Sequence, residues 1–419
     1  MKNKPSLPVI FLTVFVDLVG FGIVLPLLPI FAKSLDASGF VIGCLMASYS
    51  AMQFLFAPIW GRLSDRIGRR PILLLSTAGA AVSYAIFALG SARTGLGALV
   101  LLFGARLFAG ICGANITVAQ AYIADITPPD QRSKRMGLIG MAFGLGFIFG
   151  PALGGLALKS GSLSAPGWMA AGLCAINFVF AYLRLPESRP ADAKPIEPRP
   201  RMQQLVHTLR RPGIGVLVLI FFLATFCFAA FETTLGLLVS RNFHLVFEDL
   251  KGGLHVFDSK VIYLYAFCGI IGAFVQGGPL GRIVKRMGEP RVITVSLVLL
   301  GAALVPLPFV RSWPLLLGVL AMLSIGSSLT RPPVFGLLSN LTSADEQGIT
   351  IGTAQSAGSL ARIAGPIFAG SLYELHPAAL YVTCGSLALV TAALAGLKLR
   401  GVASQAGGVR ASDVPVERE

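Results

Sequence analysis

The sequence predicts an all-α membrane protein with twelve transmembrane helices in two pseudo-symmetric six-helix bundles. Three observations predict it. The first is composition. The chain has 419 residues, 55% hydrophobic and only 13% charged, with a mean hydropathy of +0.77. Soluble domains carry about a quarter charged residues, whereas lipid-facing positions must be apolar. The second is the recurrence of apolar runs of about 20 residues, the length that crosses a hydrocarbon core. The third is repetition. The charged stretch GRLSDRIGRRP at 61–71 has a near-copy, GRIVKRMGEPR, at 281–291.

The spans fall near 8–31, 40–60, 71–91, 97–124, 136–157 and 168–185, then near 213–240, 259–280, 291–310, 314–339, 347–373 and 378–399. The first follows Lys2 and Lys4 and resembles a signal peptide. It is too long for one, contains Asp17 and lacks a small-residue cleavage site, so it is read as a retained span. Between spans 2 and 3 lies the stretch 61–71, read as a charged turn. It holds Arg62, Arg66, Arg69 and Arg70 with Asp65, Gly61 and Gly68. After span 6 comes a stretch rich in proline and charge (PESRPADAKPIEPRPR). The expected organisation is therefore a bundle over 1–184, a cytoplasmic linker over 185–212, a second bundle over 213–400 and a disordered cytoplasmic tail over 401–419.

Charge sets the orientation. The net charge of +15 does not imply nucleic acid, because most of the 34 Lys and Arg lie in short loops beside apolar spans. If both termini are cytoplasmic, the outer side holds only Lys33, Arg93, Lys159, Arg241, Lys251, Lys260 and Arg311. That asymmetry predicts both termini inside. The six cysteines lie in apolar stretches without a CxxC pair, so neither disulfides nor a metal site is expected.

The halves match in order. Gly61, Arg62, Arg66 and Gly68 correspond to Gly281, Arg282, Arg286 and Gly288. At a slightly shorter offset, Asp17 corresponds to Glu232, Thr127 and Asp130 to Thr342 and Asp345, and Gly150-Pro151 to Gly365-Pro366. The difference fits an insertion in the polar stretch 241–260. Two parallel repeats imply a cavity where they meet near the bilayer midplane.

Charges inside spans are costly and mark function or pairing. Asp17 in span 1 and Glu232 in span 7 are candidate proton-coupling groups, with structural pairing as the alternative. Arg106 in span 4 keeps its charge and needs an acceptor; it would either hold a proton-binding carboxylate in register or simply orient its span. Arg331 and Arg362 could compensate Glu232 or meet an anionic substrate. Gln53, Asn115, Gln120, Gln276 and Gln355 are candidate cavity groups or interhelical hydrogen bonders. In span 5, Gly146, Gly150 and Gly154 share one helix face beside Pro151 and Gly155, as Gly140 and Gly144 do. The expectation is a tightly packed, bent interface that seals one end of the cavity. No Ser/His/Asp set, HExxH or His/Cys cluster suggests an enzyme, and a non-transporting receptor would leave the intramembrane charges unexplained.

With these residues in place, the chain resembles the twelve-span drug/proton antiporters of the major facilitator superfamily, tetracycline efflux proteins most of all. The loop signature G-x-L-x-D-R-x-G-R-[RK] is met by Gly61, Leu63, Asp65, Arg66, Gly68, Arg69 and Arg70. The span-4 signature is met by Arg106, Gly110 and Gly113. The span-5 antiporter signature is met by Gly150-Pro151 and Gly154-Gly155, and the span-1 spacing by Asp17 and Pro26. The stretch AYIADITPPDQR at 121–132 is close to tetracycline-efflux sequences. The resemblance implies a proton-driven exporter of hydrophobic drugs in a bacterial inner membrane, with no cofactor beyond the proton gradient. A metabolite or sugar facilitator of the same fold is the alternative. It also implies a latch: Asp65 against the start of span 11, and Arg66 bridging to Asp125. In the second half Lys285 and Asn340 stand at the places of Asp65 and Asp125, so a second latch would be weaker or different.

Overall fold

The computed structural model describes residues 6–113, 115–127, 132–188, 209–211, 213–245, 248–250, 254–256, 259–342 and 347–412. They are helical nearly throughout. The first apolar segment is α1 (Leu7–Val24) and α2 (Leu28–Ser34), joined at Pro26, whose ring interrupts the helix. Next come α3 (Gly39–Ile67) and α4 (Arg69–Ser91), then α5 (Gly95–Cys112) and α6 (Asn115–Asp125), which together form one apolar segment. α7 (Arg132–Leu158) and α8 (Ala165–Arg184) follow.

The later elements are α9 (Ile214–Asn242), α10 (Ser259–Gly277), α11 (Leu280–Met287) and α12 (Glu289–Leu304). Then come α13 (Trp313–Asn340), α14 (Gln347–Leu375) and α15 (Pro377–Ser412). The expected insertion contains a small departure from the all-α expectation. There β1 (Glu248–Leu250) pairs antiparallel with β2 (Leu254–Val256).

Among the described residues, ten helical segments are long and apolar enough to cross a membrane. A bent pair, α10 and α11, makes an eleventh, with a 56° bend at residues 278–279. The remaining expected span, 347–373, is α14, a more polar helix of 29 residues carrying Arg362, Gln355 and Pro366. Outward faces carry Leu96, Ile176, Phe274 and Leu397, all well exposed in the bare chain. Lipid, rather than water, suits such faces.

By internal contacts the chain forms two units. The first comprises Met1–Glu197, Glu232–Ala273 and Pro366–Pro377; the second comprises Pro198–Phe231, Phe274–Gly365 and Ala378–Glu419. In the first, α1 packs along α7 and α8, α4 lies on α5 and α8, and α3 lies on α5. Tyr122, Ile10, Leu73 and Val118 belong to its buried core. The start of α3 is capped by Ser38 Oγ, which accepts from the Val41 N–H, and by Glu374 Oε2, which accepts from the Gly39 N–H at 2.8 Å. In the second unit α12 packs along α13, and Leu217, Ile293, Leu338 and Leu399 share the core.

Lipid is as apolar as leucine, so burial alone does not drive these helices together; close packing of small residues does. The contact of α1 with α7 shows it. A methyl group on Gly22 would fall 2.5 Å from the Gly146 carbonyl oxygen, and one on Gly150 would fall 2.5 Å from the Gly22 carbonyl carbon. The two backbones touch without side chains between them.

Candidate functional site

The charged stretch at 61–71 is not an open turn. α3 continues through it to Ile67, and α4 starts at Arg69. Only Gly68 separates them, at φ 103° and ψ 161°. Side chains rarely adopt a positive φ, which explains the glycine. The second copy has the same joint: α11 ends at Met287, Gly288 has φ 76° and ψ 151°, and α12 begins at Glu289.

This joint turns Arg69 inward. Its Nη1 is 2.5 Å from Asp65 Oδ1, its Nε donates to Asp125 Oδ2 at 3.1 Å, and its Nη1 donates to Ser64 Oγ at 2.6 Å. Asp125 therefore pairs with Arg69, whereas Arg66, expected to make that bridge, is exposed. The reason is geometric. Arg66 follows Asp65 on the same helix, about 100° around its axis, while the break at Gly68 redirects Arg69. The implied contact of Asp65 with the start of span 11 falls on 343–349, outside the described side chains.

Two residues that the sequence did not single out complete the cluster. The Glu187 carboxylate accepts from the Arg69 N–H at 2.8 Å and from the Arg70 N–H at 3.0 Å, and so caps the start of α4. An anion there also faces the positive end of the helix dipole. Ser188 Oγ donates to Asp125 Oδ2 at 3.0 Å. Arg70 reaches the Tyr182 carbonyl at 2.8 Å and lies over the Tyr182 ring. Tyr122 Oη donates to the Pro186 carbonyl and holds the segment in place. Gly61 touches nothing with its missing side chain. Around the second joint Lys285, Arg286 and Asn340 are exposed.

Asp17 is buried on α1. Its Oδ1 accepts from Asn177 Nδ2 of α8 at 2.8 Å, and its buried Oδ2 has no hydrogen-bond partner. The Cys174 thiol lies beside it. Arg106 is also buried but is not Asp17's partner. Its guanidinium lies 4.7 Å over the Tyr49 ring and 5.8 Å over the Phe21 ring, and Nη2 donates to the Met46 carbonyl at 3.5 Å. Glu232 lies within its electrostatic reach, as do Tyr49 and Tyr84. The Glu232 backbone carbonyl accepts from Tyr265 Oη at 2.9 Å.

On α7, Gly146, Gly150 and Gly154 do share a face, and it packs on Leu18, Gly22 and Ile23 of α1; Gly155 faces Tyr263. Pro151 lies inside the helix. Gln53 makes an interhelical bond, donating to the Gly113 carbonyl at 3.2 Å. In the second unit Arg331 Nη2 donates to Gln355 Oε1 at 3.4 Å and sits over the Phe335 ring. Arg362 lies two turns beyond Gln355 on α14. Gln276 is exposed and Gln120 half-buried. The side chain of Asn115, at the start of α6, lies outside the described residues, as do Asp130 and Asp345.

Known proteins share this architecture. The sequence profile of the Major Facilitator Superfamily matches residues 10–280 and again 258–415. The chain is 32% identical over 402 residues to the class C tetracycline resistance protein of Escherichia coli, covering 92% of this chain and 96% of that one. It is 30% identical over 438 residues to major facilitator superfamily domain-containing protein 10 of Homo sapiens, covering 91% and 90%. The crystal structure of the human organic anion transporter MFSD10 superposes with a TM-score of 0.69 and 28% identity, over 94% of this chain and all of that one. The paired glycine joints, the helical layout and these matches agree: the chain belongs to the Major Facilitator Superfamily and is a multi-pass membrane transporter.

Proposed function

We propose that the chain is a proton-coupled exporter of hydrophobic drugs that works by alternating access. It acts as a monomer in a bacterial inner membrane, with both termini cytoplasmic and the proton gradient as its energy source. The observation that carries this reading is Asp17, a buried carboxylate on an apolar helix with one oxygen left without a donor. Such a group can take up and release a proton during a transport cycle. The similarity to tetracycline resistance proteins supports the drug.

Inverted membrane vesicles test it. Energised vesicles should accumulate tetracycline or ethidium with coupled proton movement, and Asp17→Asn should abolish this. Unchanged transport by a correctly inserted Asp17→Asn protein removes Asp17 as the coupling site.

A second reading is export of amphipathic organic anions. Arg331, beside Gln355, supports it, as does the relative described as an organic anion transporter. Accumulation of carboxyfluorescein instead of ethidium by the same vesicles separates the two readings.

A further inference from the structure

The neighbours of Asp17 are more specific than a buried carboxylate requires. Asn177, itself 2% exposed, sends both amide hydrogens to α1. Nδ2 donates to Asp17 Oδ1 at 2.8 Å and to the Thr13 carbonyl at 2.8 Å. Thr13 and Asp17 are four residues apart, one helical turn, so a single amide spans that turn.

The double contact fixes which way the amide points. Reversed, its oxygen would face the Thr13 carbonyl and a carboxylate oxygen, two acceptors with no hydrogen between them. The carbonyl cannot supply a donor whatever Asp17 does. The amide nitrogen therefore stays on α1, and Asn177 Oδ1 faces away, buried and without a partner. Asp17 Oδ1 is in turn always served by a donor. The amide donor on Oδ1 disfavours a proton there, which leaves Oδ2, held by no amide and with the Cys174 thiol as the other donor beside the carboxylate, as the favoured proton site.

The other groups around Asp17 come from three helices. α8 adds the Cys174 thiol, and α4 adds Tyr84, whose ring meets α1 at Gly20 together with Cys174. α7 faces Leu18 with Gly146, which has no side chain to offer.

We propose that Asn177 is a positioning residue for proton coupling: it joins Thr13 O to Asp17 Oδ1 and thereby assigns the exchanged proton to Asp17 Oδ2. The step is a proton joining Oδ2 to make the acid and leaving it to restore the carboxylate; no other bond changes. The amide bridge between α1 and α8 persists in both states. The inference rests on the reading of Asp17 as the proton carrier.

The test compares two transport modes in proteoliposomes, with tetracycline and ethidium as probes. One mode is accumulation driven by a proton gradient. The other is exchange of labelled for unlabelled drug at equal pH on both sides, which needs substrate movement but no net proton movement. Asn177→Leu keeps the branched shape, though larger, and removes the donors; Asn177→Ala, smaller, is the second variant should leucine not insert. The expected result is loss of driven accumulation by about tenfold or more, the scale of a lost hydrogen bond to a charged group, with exchange within about twofold of wild type. Equal loss of both modes would mean that Asn177 is only structural, and undiminished accumulation would overturn the proposal directly.

Asp17→Asn, run in parallel, separates the levels. Normal accumulation by Asp17→Asn overturns the underlying reading; its loss with full coupling in both Asn177 variants overturns this inference alone. Infrared difference spectra on acidification give a readout that needs no drug. A protonated-carboxyl band that is absent in Asp17→Asn should be displaced in Asn177→Leu, and an undisplaced band contradicts the positioning role.

Discussion

Arg69 Nε donates to Asp125 Oδ2 at 3.1 Å and so ties the start of α4 to the end of α6. The same guanidinium holds Asp65 and Ser64 at the end of α3. Its side chain is 10% exposed, against 32% for Asp65 and 22% for Asp125. Removing Arg69 takes away the cation that these two partly buried carboxylates share. Arg69→Ala should lower the stability of the solubilised protein by about 2 kcal/mol and impair transport. Arg66→Ala, at an exposed position, should stay within about 0.5 kcal/mol of wild type. Thermal unfolding in detergent ranks the two, and equal melting temperatures would contradict the geometry.

The two glycine joints should respond differently to one methyl group. Gly288→Ala meets only Pro290 Cδ at 3.9 Å, so its cost is the positive φ, about 1 kcal/mol. Gly68→Ala has the same strain and would also press its methyl into the Glu187 carboxylate. It should be the more destabilising of the pair. Paired melting curves check the order, and the reverse order would show that Glu187 does not sit over Gly68.

Glu187 contributes through backbone donors, so charge and shape can be separated. Glu187→Ala exposes the Arg69 and Arg70 N–H groups and should cost about 1–2 kcal/mol. Glu187→Gln keeps one acceptor and should cost less, about 0.5–1 kcal/mol, mostly from the lost interaction with the helix end. Hydrogen exchange localises the effect: the first-turn amides of α4 should lose protection in Glu187→Ala while those of α12 do not change.

The α1–α7 contact predicts a sharp contrast within one helix. Gly150→Val places its side chain in the Gly22 backbone and should prevent stable insertion. Gly140→Ala has nothing within 4 Å of the added carbon and should be tolerated, or stabilising by a few tenths of a kcal/mol through helix propensity. Membrane abundance of tagged variants distinguishes them.

The sequence made some of this architecture legible and hid the rest for identifiable reasons. Asp17 and Arg106 stand out because a charge in an apolar run has few explanations. The glycine face of α7 is legible from a spacing of four, but its partner, α1, is a long-range contact that no local pattern encodes. Arg66 and Arg69 carry equal charge in one motif; the joint at Gly68 decides between them, and only a backbone angle reveals it. Glu187 opens a stretch rich in proline and charge that reads as a linker, yet it caps a helix more than a hundred residues earlier. Asn177 looks like any amide in a span until the direction of both its hydrogens is known.

The glycine contact described above has a mechanical consequence. With Gly22 and Gly150 backbone to backbone, α1 and α7 are held at that point with no side chain between them to absorb displacement. They behave as one laminated beam. Leu18, next to Asp17, is pressed against Gly146 in the same contact. On the proposed role of Asp17, a displacement that starts there is carried by α1 and α7 together.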